Sequence, residues 1–167
     1  KSVLGIKNPK LGLLNVGSEH IKGNSVVKKT FNDLIKMNSK INFQGFVEGN
    51  DINKGIVDVI VTDGFSGNIA LKTAEGVAEL IFTFLKNAYG SSFISKIGYL
   101  LSKPALNRFK TRIDPRKYNG AVLLGLNGIV VKSHGGTDAF GFSNAVGVAV
   151  SLIENSYVEE IKKKMDK

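Results

Sequence analysis

Residues 56–61 constrain the fold more than any other stretch. They form an apolar run broken only by Asp58, and the run stops at Thr62-Asp63, just before a second long apolar stretch. A strand with one wet face alternates polar and apolar residues. A continuous run fits a strand covered on both faces, as in a parallel sheet with helices against it. Parallel neighbours need crossover connections, and the rest of the chain supplies them. Residues 11–16 read as a short buried strand and 41–47 as another. Between them, Val27, Phe31, Leu34 and Ile35 recur at helical spacing up to about Ser39, behind Asn24 or Ser25 as the capping residue. Residues 68–87 predict a helix so apolar that it is either buried or packed on another subunit. The expected fold is α/β, a mostly parallel sheet flanked by helices.

Beyond residue 90 the pattern changes. Phe93, Ile94, Ile97, Leu100 and Leu101 fall on one helical face, and Pro104 is expected to end or kink that helix. A second short element carries Leu106, Phe109 and Ile113 with Arg108, Lys110 and Arg112 between them. The two predict a protruding helical hairpin. Residues 120–124 and 128–131 read as strands around a turn, and 139–164 as a final helix. The chain is expected to be one α/β domain over 1–167, with 88–117 as a basic amphipathic insertion.

Charge and composition narrow the chemistry. The formal net charge is +9, and residues 86–117 hold eight basic side chains against the single acid Asp114, including all three arginines. Such a stretch suits an acidic protein, an anionic lipid surface or nucleic acid. It equally suits a solvated face or a hairpin packed on a twin subunit. There is no cysteine, which excludes disulfides, thiolate metal sites and a cysteine nucleophile. Two histidines are too few for a His-rich metal centre. No run is long enough to span a bilayer, and the start does not read as a signal peptide. Lys1 stands first, so a fragment or processed product is expected.

Four polar, glycine-containing corners follow predicted strands. Asp63-Gly64-Phe65-Ser66-Gly67-Asn68 joins a strand to a helix, where free N–H groups and the helix dipole favour an anion. Gly64 and Gly67 allow close approach, and Asn68 adds an amide donor. The plainer reading is a strand–helix turn capped by Ser66. Ser18-Glu19-His20-Ile21-Lys22-Gly23-Asn24 places Lys22 to neutralise an anion, or simply in solvent. Val47-Glu48-Gly49-Asn50-Asp51 is the third corner. Lys132-Ser133-His134-Gly135-Gly136-Thr137-Asp138 is the fourth, and its His134 is a base, a phosphate ligand or a structural residue.

Taken in order, these stretches resemble the PlsX family, the bacterial phosphate acyltransferases of phospholipid synthesis. The resemblance rests on Gly12-Leu13-Leu14-Asn15-Val16-Gly17 with Lys22-Gly23-Asn24, on Asn42-Phe43-Gln44-Gly45-Phe46-Val47-Glu48-Gly49-Asn50-Asp51-Ile52, and on residues 58–68 with Leu71-Lys72-Thr73. Gly120-Ala121-Val122-Leu123-Leu124-Gly125 and His134-Gly135 complete it. The family's Asp- and Gly-rich N-terminal half has no counterpart here. An arginine is common where Asn50 stands, and a threonine where Ser66 stands.

The resemblance implies a fold like that of isocitrate dehydrogenases and phosphotransacetylases. It implies an enzyme that moves a fatty acyl group from acyl carrier protein to inorganic phosphate, with no cofactor expected and no metal-ligating residue singled out. Lys22 is expected to meet phosphate or oxyanion charge, Asn68 to orient, and His134 to assist. Gly23, Asn24, Glu48, Gly49, Asp51, Asp63, Gly64, Ser66, Gly67 and Gly135 would line the substrate. Arg108, Lys110, Arg112 and Arg116 would meet the acidic carrier. Phe93, Ile94, Lys96, Ile97, Leu100, Leu101 and Lys103 would hold a cytoplasmic homodimer at the membrane surface, with no nucleic acid involved. The isolated half is expected to be inactive. Two other readings fit the residues: a phosphotransacylase using coenzyme A thioesters, and a basic nucleic-acid or membrane binding module without catalysis.

Overall fold

The computed structural model describes residues 5–37 and 40–165. They fall into two compact units that divide within one long helix, Gly5–Ala74 and the residues from Glu75 onward.

The first unit is built on a three-stranded parallel sheet. The strands β1 (Lys10–Leu14), β2 (Asn42–Val47) and β3 (Val59–Val61) lie in the order β2-β1-β3. Helix α1 (Ser25–Lys36) carries the chain from β1 to β2. Asn24 is its cap: the side-chain oxygen accepts from Val27 N–H at 2.9 Å, satisfying one of the orphan donors of the first turn. Ser39, where the helix was expected to end, lies outside the described residues. The core forms where α1 meets the sheet. Leu13, Phe31 and Phe43 are buried, with Leu11, Val27, Leu34, Phe46 and Val61 packed against them. The Phe31 ring stacks on Phe46 at 4.3 Å and meets Phe43 edge-on at 5.5 Å. Each such buried side chain contributes about 1.5–3 kcal/mol of transfer free energy.

The connection order has a consequence for ligands. The chain leaves β1 for β2 on one side and returns as β3 on the other. In an open parallel sheet, such a reversal leaves a crevice beyond the carboxyl ends of the two strands involved, here β1 and β3. Leu14 pairs with Val47 and Leu13 with Val61, so all three strands end along one edge.

Helix α2 (Gly64–Gly90) begins four residues earlier than its apolar pattern indicates. Asp63 is responsible, because its carboxylate caps the helix from just outside. None of α2 is buried in this chain, and Phe65, Leu71 and Phe84 are exposed.

The second unit holds the rest of α2, then α3 (Phe93–Arg112), a 3₁₀ turn (Pro115–Tyr118), β4 (Ala121–Val122), β5 (Val131–Lys132), α4 (Ala139–Glu154) and α5 (Tyr157–Met165). A helical hairpin is present, but α2 and α3 form it, with Tyr89 against Tyr99 at 5.6 Å and Phe82 against Phe109 at 6.0 Å; the two elements expected to fold back on each other are one helix. Two other expectations also need correction. Helix α3 runs through Pro104 without ending. A proline there removes the donor for the Leu100 carbonyl, but no residue of α3 is buried, so water can serve that oxygen. The final helix is two helices. Asn155 caps α4, with Nδ2 donating to the Ser151 carbonyl at 2.7 Å, and Ser156 turns left-handed at φ 49°. Strands β4 and β5 pair antiparallel over two residues each, shorter than their apolar runs.

Candidate active site

Three of the four corners lie together on the carboxyl edge of the first unit's sheet. The β1 corner is the middle one. Asn15, almost fully buried, ties its two ends: the main-chain N–H donates to the Val47 carbonyl at 2.9 Å and Nδ2 donates to the Lys22 carbonyl at 3.3 Å. Gly23 permits this closure. Its φ is +88°, a region L side chains avoid, and a Cβ there would run into Asn15 Oδ1. The corner thereby fixes the backbone that carries Lys22.

The Lys22 ammonium lies 2.8 Å from Glu19 Oε1. That bond holds the ammonium pKa above its usual value and the Glu19 carboxyl below the usual carboxylate range, and Glu48 from the β2 corner adds to the effect on Lys22. Lys22 is therefore charged and placed between the β1 and β2 corners. In the β2 corner, Gly49 and Asp51 form a 3₁₀ turn behind Glu48. Asp51 Oδ2 accepts from Glu48 N–H at 3.0 Å while Oδ1 pairs with Lys54 at 2.9 Å, and both bonds lower its pKa. Asp51 is committed to shaping the turn.

The β3 corner differs from its expected form. Gly64, Ser66, Gly67 and Asn68 belong to the first turn of α2, and the cap is Asp63, not Ser66. Asp63 Oδ1 accepts from Ser66 N–H at 2.8 Å, and its carbonyl accepts from Gly67 N–H at 3.0 Å. The Ser66 bond depresses the Asp63 pKa, with Phe65 N–H adding to it. A carboxylate already occupies the helix start that was expected to cradle phosphate. Asn68 remains exposed on that first turn.

In the second unit, Arg116 departs most from expectation. It pairs with Asp114 at 2.6 Å and Asp138 at 2.7 Å and lies over the Phe140 ring at 5.4 Å. Asp114 falls to about 2, chiefly through its bond to Arg116, and Asp138 is lowered by Gly141 N–H and then Arg116. The guanidinium is spent on the chain's own carboxylates, so the basic patch expected at Arg108, Lys110, Arg112 and Arg116 loses its last member. Arg108 and Arg112 instead line an open hollow of about 510 Å³ with Asn107, Thr111, Lys117 and Tyr118. Phe93, Ile94, Leu100 and Leu101 on α3 are exposed, as is His134 beyond β5. Among the described residues no acidic or histidine cluster could hold a metal, and no helix is long and apolar enough to cross a membrane.

The sequence comparisons now bear on these corners. A family model described as "Fatty acid synthesis protein" matches residues 1–160. The chain belongs to this fatty acid synthesis protein family. Members similar to it include a phosphate acyltransferase of Paramagnetospirillum magneticum, 59% identical over 167 residues, covering 100% of this chain and 48% of that protein. Others are the phosphate acyltransferases of Rhodospirillum rubrum, 53% identical over the same span with 48% of its length covered, and of Methylococcus capsulatus, 52% identical over 159 residues, 95% of this chain and 46% of that protein. The chain spans about half the length of the curated family members it matches.

One residue that sequence reasoning passed over stands out. Asn119 carries no local motif, yet its amide joins Ser133, His134, Thr137 and Gly141. All its partners lie 14 to 22 residues away, so only the fold reveals it.

Proposed function

We propose that the protein containing this chain is a phosphate acyltransferase that moves a fatty acyl group from acyl carrier protein to inorganic phosphate. The observation that carries the reading is the pair of corners at the β1/β3 reversal: a charged Lys22 held by the buried Asn15, and Asn68 on the first turn of α2. The names of its family members, phosphate acyltransferases, support the transfer of an acyl group to phosphate.

In this reading a phosphate oxygen attacks the thioester carbonyl. The C–S bond breaks as the new C–O bond forms, and the proton of hydrogen phosphate leaves with the carrier thiol. No acyl-enzyme is needed, consistent with a chain that offers no cysteine. What the protein must supply is proximity and stabilisation of the oxyanion. Lys22 supplies the positive charge. Asn68 supplies an orienting amide, and Gly23, Asn24 and Glu48 shape the space. Because Asp63 fills the start of α2, phosphate is held by side chains and the Lys22 corner, and not by the N–H groups of Ser66 and Gly67. The hollow beside Arg108 and Arg112 receives the acidic carrier. The exposed face of α3 rests on an anionic membrane surface, where the product is consumed in phospholipid synthesis. The exposed apolar residues of α2 are covered in a homodimer.

The test is an acyl-phosphate assay on the intact protein, with carrier and coenzyme A thioesters compared at equal concentration. Lys22→Ala and Asn68→Ala should each lower turnover about 100-fold or more while the protein stays folded. Full activity in both variants would overturn the assigned roles, and a strong coenzyme A preference would overturn the donor.

A further inference from the structure

The hollow in the second unit is built by two short stretches of chain. Asn107 and Thr111 lie one turn apart on α3, and so do Arg108 and Arg112, so the four make two adjacent rows on one face of the helix. The chain then turns at Ile113-Asp114, and the 3₁₀ turn adds Lys117 and Tyr118 to the lining. That turn is fixed from within the unit. Asp114 Oδ1 accepts from Arg116 N–H at 3.1 Å, and the Asp114 carbonyl accepts from Lys117 N–H at 3.2 Å. Asn144 of α4 donates through Nδ2 to the Arg116 carbonyl at 3.0 Å, and the Arg116 guanidinium bridges Asp114 and Asp138.

The charge of the hollow is left unanswered. Asp114 is the one acid of residues 86–117, and its carboxylate is bonded to Arg116. Arg108, Arg112 and Lys117 enter no ion pair among the described residues. The dipole of α3 accounts for Arg112 alone, since it favours a cation in the last turn of the helix and fades beyond it. Arg108 stands before that turn and Lys117 lies outside the helix. Three like charges around one hollow repel one another, and a bound anion removes that cost. A guanidinium fork binds two oxygens of a phosphate at once, and the Lys117 ammonium adds a point charge. The Asn107 amide and the Thr111 and Tyr118 hydroxyls can donate to the remaining oxygens. The arginine stems and the exposed Tyr118 ring offer apolar walls to an attached organic group.

We propose that this hollow binds the phosphate group of a soluble phosphate ester, gripped by Arg108 and Arg112 with Lys117 beside them. The source of the ester, the phosphate that joins a carrier protein to its acyl arm, rests on the acyl-transfer reading; the site does not. The carrier is then recognised through a phosphate and not through its carboxylates alone.

The experiment uses the intact protein labelled with ¹⁵N-arginine. The Nε–H signals of Arg108, Arg112 and Arg116 are assigned by their loss in Arg108→Gln, Arg112→Gln and Arg116→Lys. Titration with 4′-phosphopantetheine should move the Arg108 and Arg112 signals. Arg116, already bonded to two carboxylates, should stay in place. Pantetheine, which lacks the phosphate, should move none of them. Arg108→Gln and Arg112→Gln should each weaken the response of the remaining arginine about three- to tenfold in apparent affinity. A glutamate-rich peptide and vesicles containing phosphatidic acid probe the competing sources. An equal response to pantetheine, or none to phosphopantetheine, overturns the proposal. So does a response to the peptide or the vesicles stronger than that to phosphopantetheine. The signals read no turnover, so arginines that respond in a protein forming no acyl phosphate keep the site and remove the acyl-transfer reading. Acyl phosphate formed by a protein whose arginines never respond does the opposite.

Discussion

Replacing Gly23 with alanine tests the closure of the Lys22 corner. Two separable costs follow from the structure. Holding a residue with a Cβ in a left-handed conformation costs about 1–2 kcal/mol, and Gly23 sits at φ +88°. The new Cβ also strikes Asn15 Oδ1, which turns the amide and breaks its bond to the Lys22 carbonyl, worth about 0.5–1.5 kcal/mol. Gly23→Ala should therefore destabilise by about 2–3 kcal/mol, and Asn15→Ala by about 0.5–1.5 kcal/mol through loss of the same bond. In the double variant there is no amide left to strike and no bond left to lose, so only the backbone cost remains beside that of Asn15→Ala. The double should be less destabilised than the sum of the singles by about 1 kcal/mol. Urea unfolding of the intact protein in all four forms measures this, and the phosphate KM should rise in each variant as Lys22 moves. Additivity within about 0.3 kcal/mol would refute the contact between Gly23 and Asn15 as the reason for glycine.

Three further outcomes follow. Glu19→Gln removes the carboxylate bonded to Lys22, so the phosphate KM should fall; the pair is half exposed, so stability should change by less than about 1 kcal/mol, and loss of turnover would place the chemistry on Glu19. Pro104→Ala restores the donor for the Leu100 carbonyl, and a rise in helical circular dichroism with a higher melting temperature is expected; a fall would mean that α3 needs its proline. Asp114 is depressed to about 2 in the fold against about 3.9 in an unfolded chain, so its stabilisation is complete above about pH 4 and disappears as the pH falls toward 2. The melting temperature of Asp114→Asn should accordingly lie below that of the parent protein at pH 6 and converge with it near pH 2.

What could be read in advance was what local chemistry decides. A cap of α1 at Asn24 or Ser25 follows from a short polar side chain before an apolar helical pattern, and the structure decides for Asn24. The parallel sheet follows from the apolar run before Asp63, of which the part after Asp58, Val59–Val61, forms the strand. The start of α2 was ambiguous for a physical reason: Asp63 and Ser66 are both good caps, and the apolar pattern begins only after them. Only the backbone bond from Ser66 N–H decides for Asp63. The break at Asn155-Ser156 had a readable sign, two polar residues with cap and turn preferences inside a helical pattern. Asn119 and the Arg116–Asp138 pair had none, because Gly141 and Asp138 lie more than 20 residues from the side chains that bind them.

The pairing of Arg116 changes how the remaining charge on α3 should be read. Arg108, Lys110 and Arg112 have no partner in any ion pair among the described residues, but they need none for stability. Lys110 and Arg112 occupy the last turn of α3, where the helix dipole favours a cation by about 0.3–1 kcal/mol. That field fades within a turn, so it explains neither Lys96 nor Lys103. These two flank the exposed Ile94, Ile97, Leu100 and Leu101, and each should contribute about 1 kcal/mol on an anionic bilayer. Lys96→Gln and Lys103→Gln should each weaken binding of the intact protein to phosphatidylglycerol vesicles about fivefold, whereas Arg112→Gln should change it far less. Sedimentation with vesicles at fixed salt reads all three. Equal losses would show that the surface senses only total charge, and no loss would remove the membrane from the account of α3.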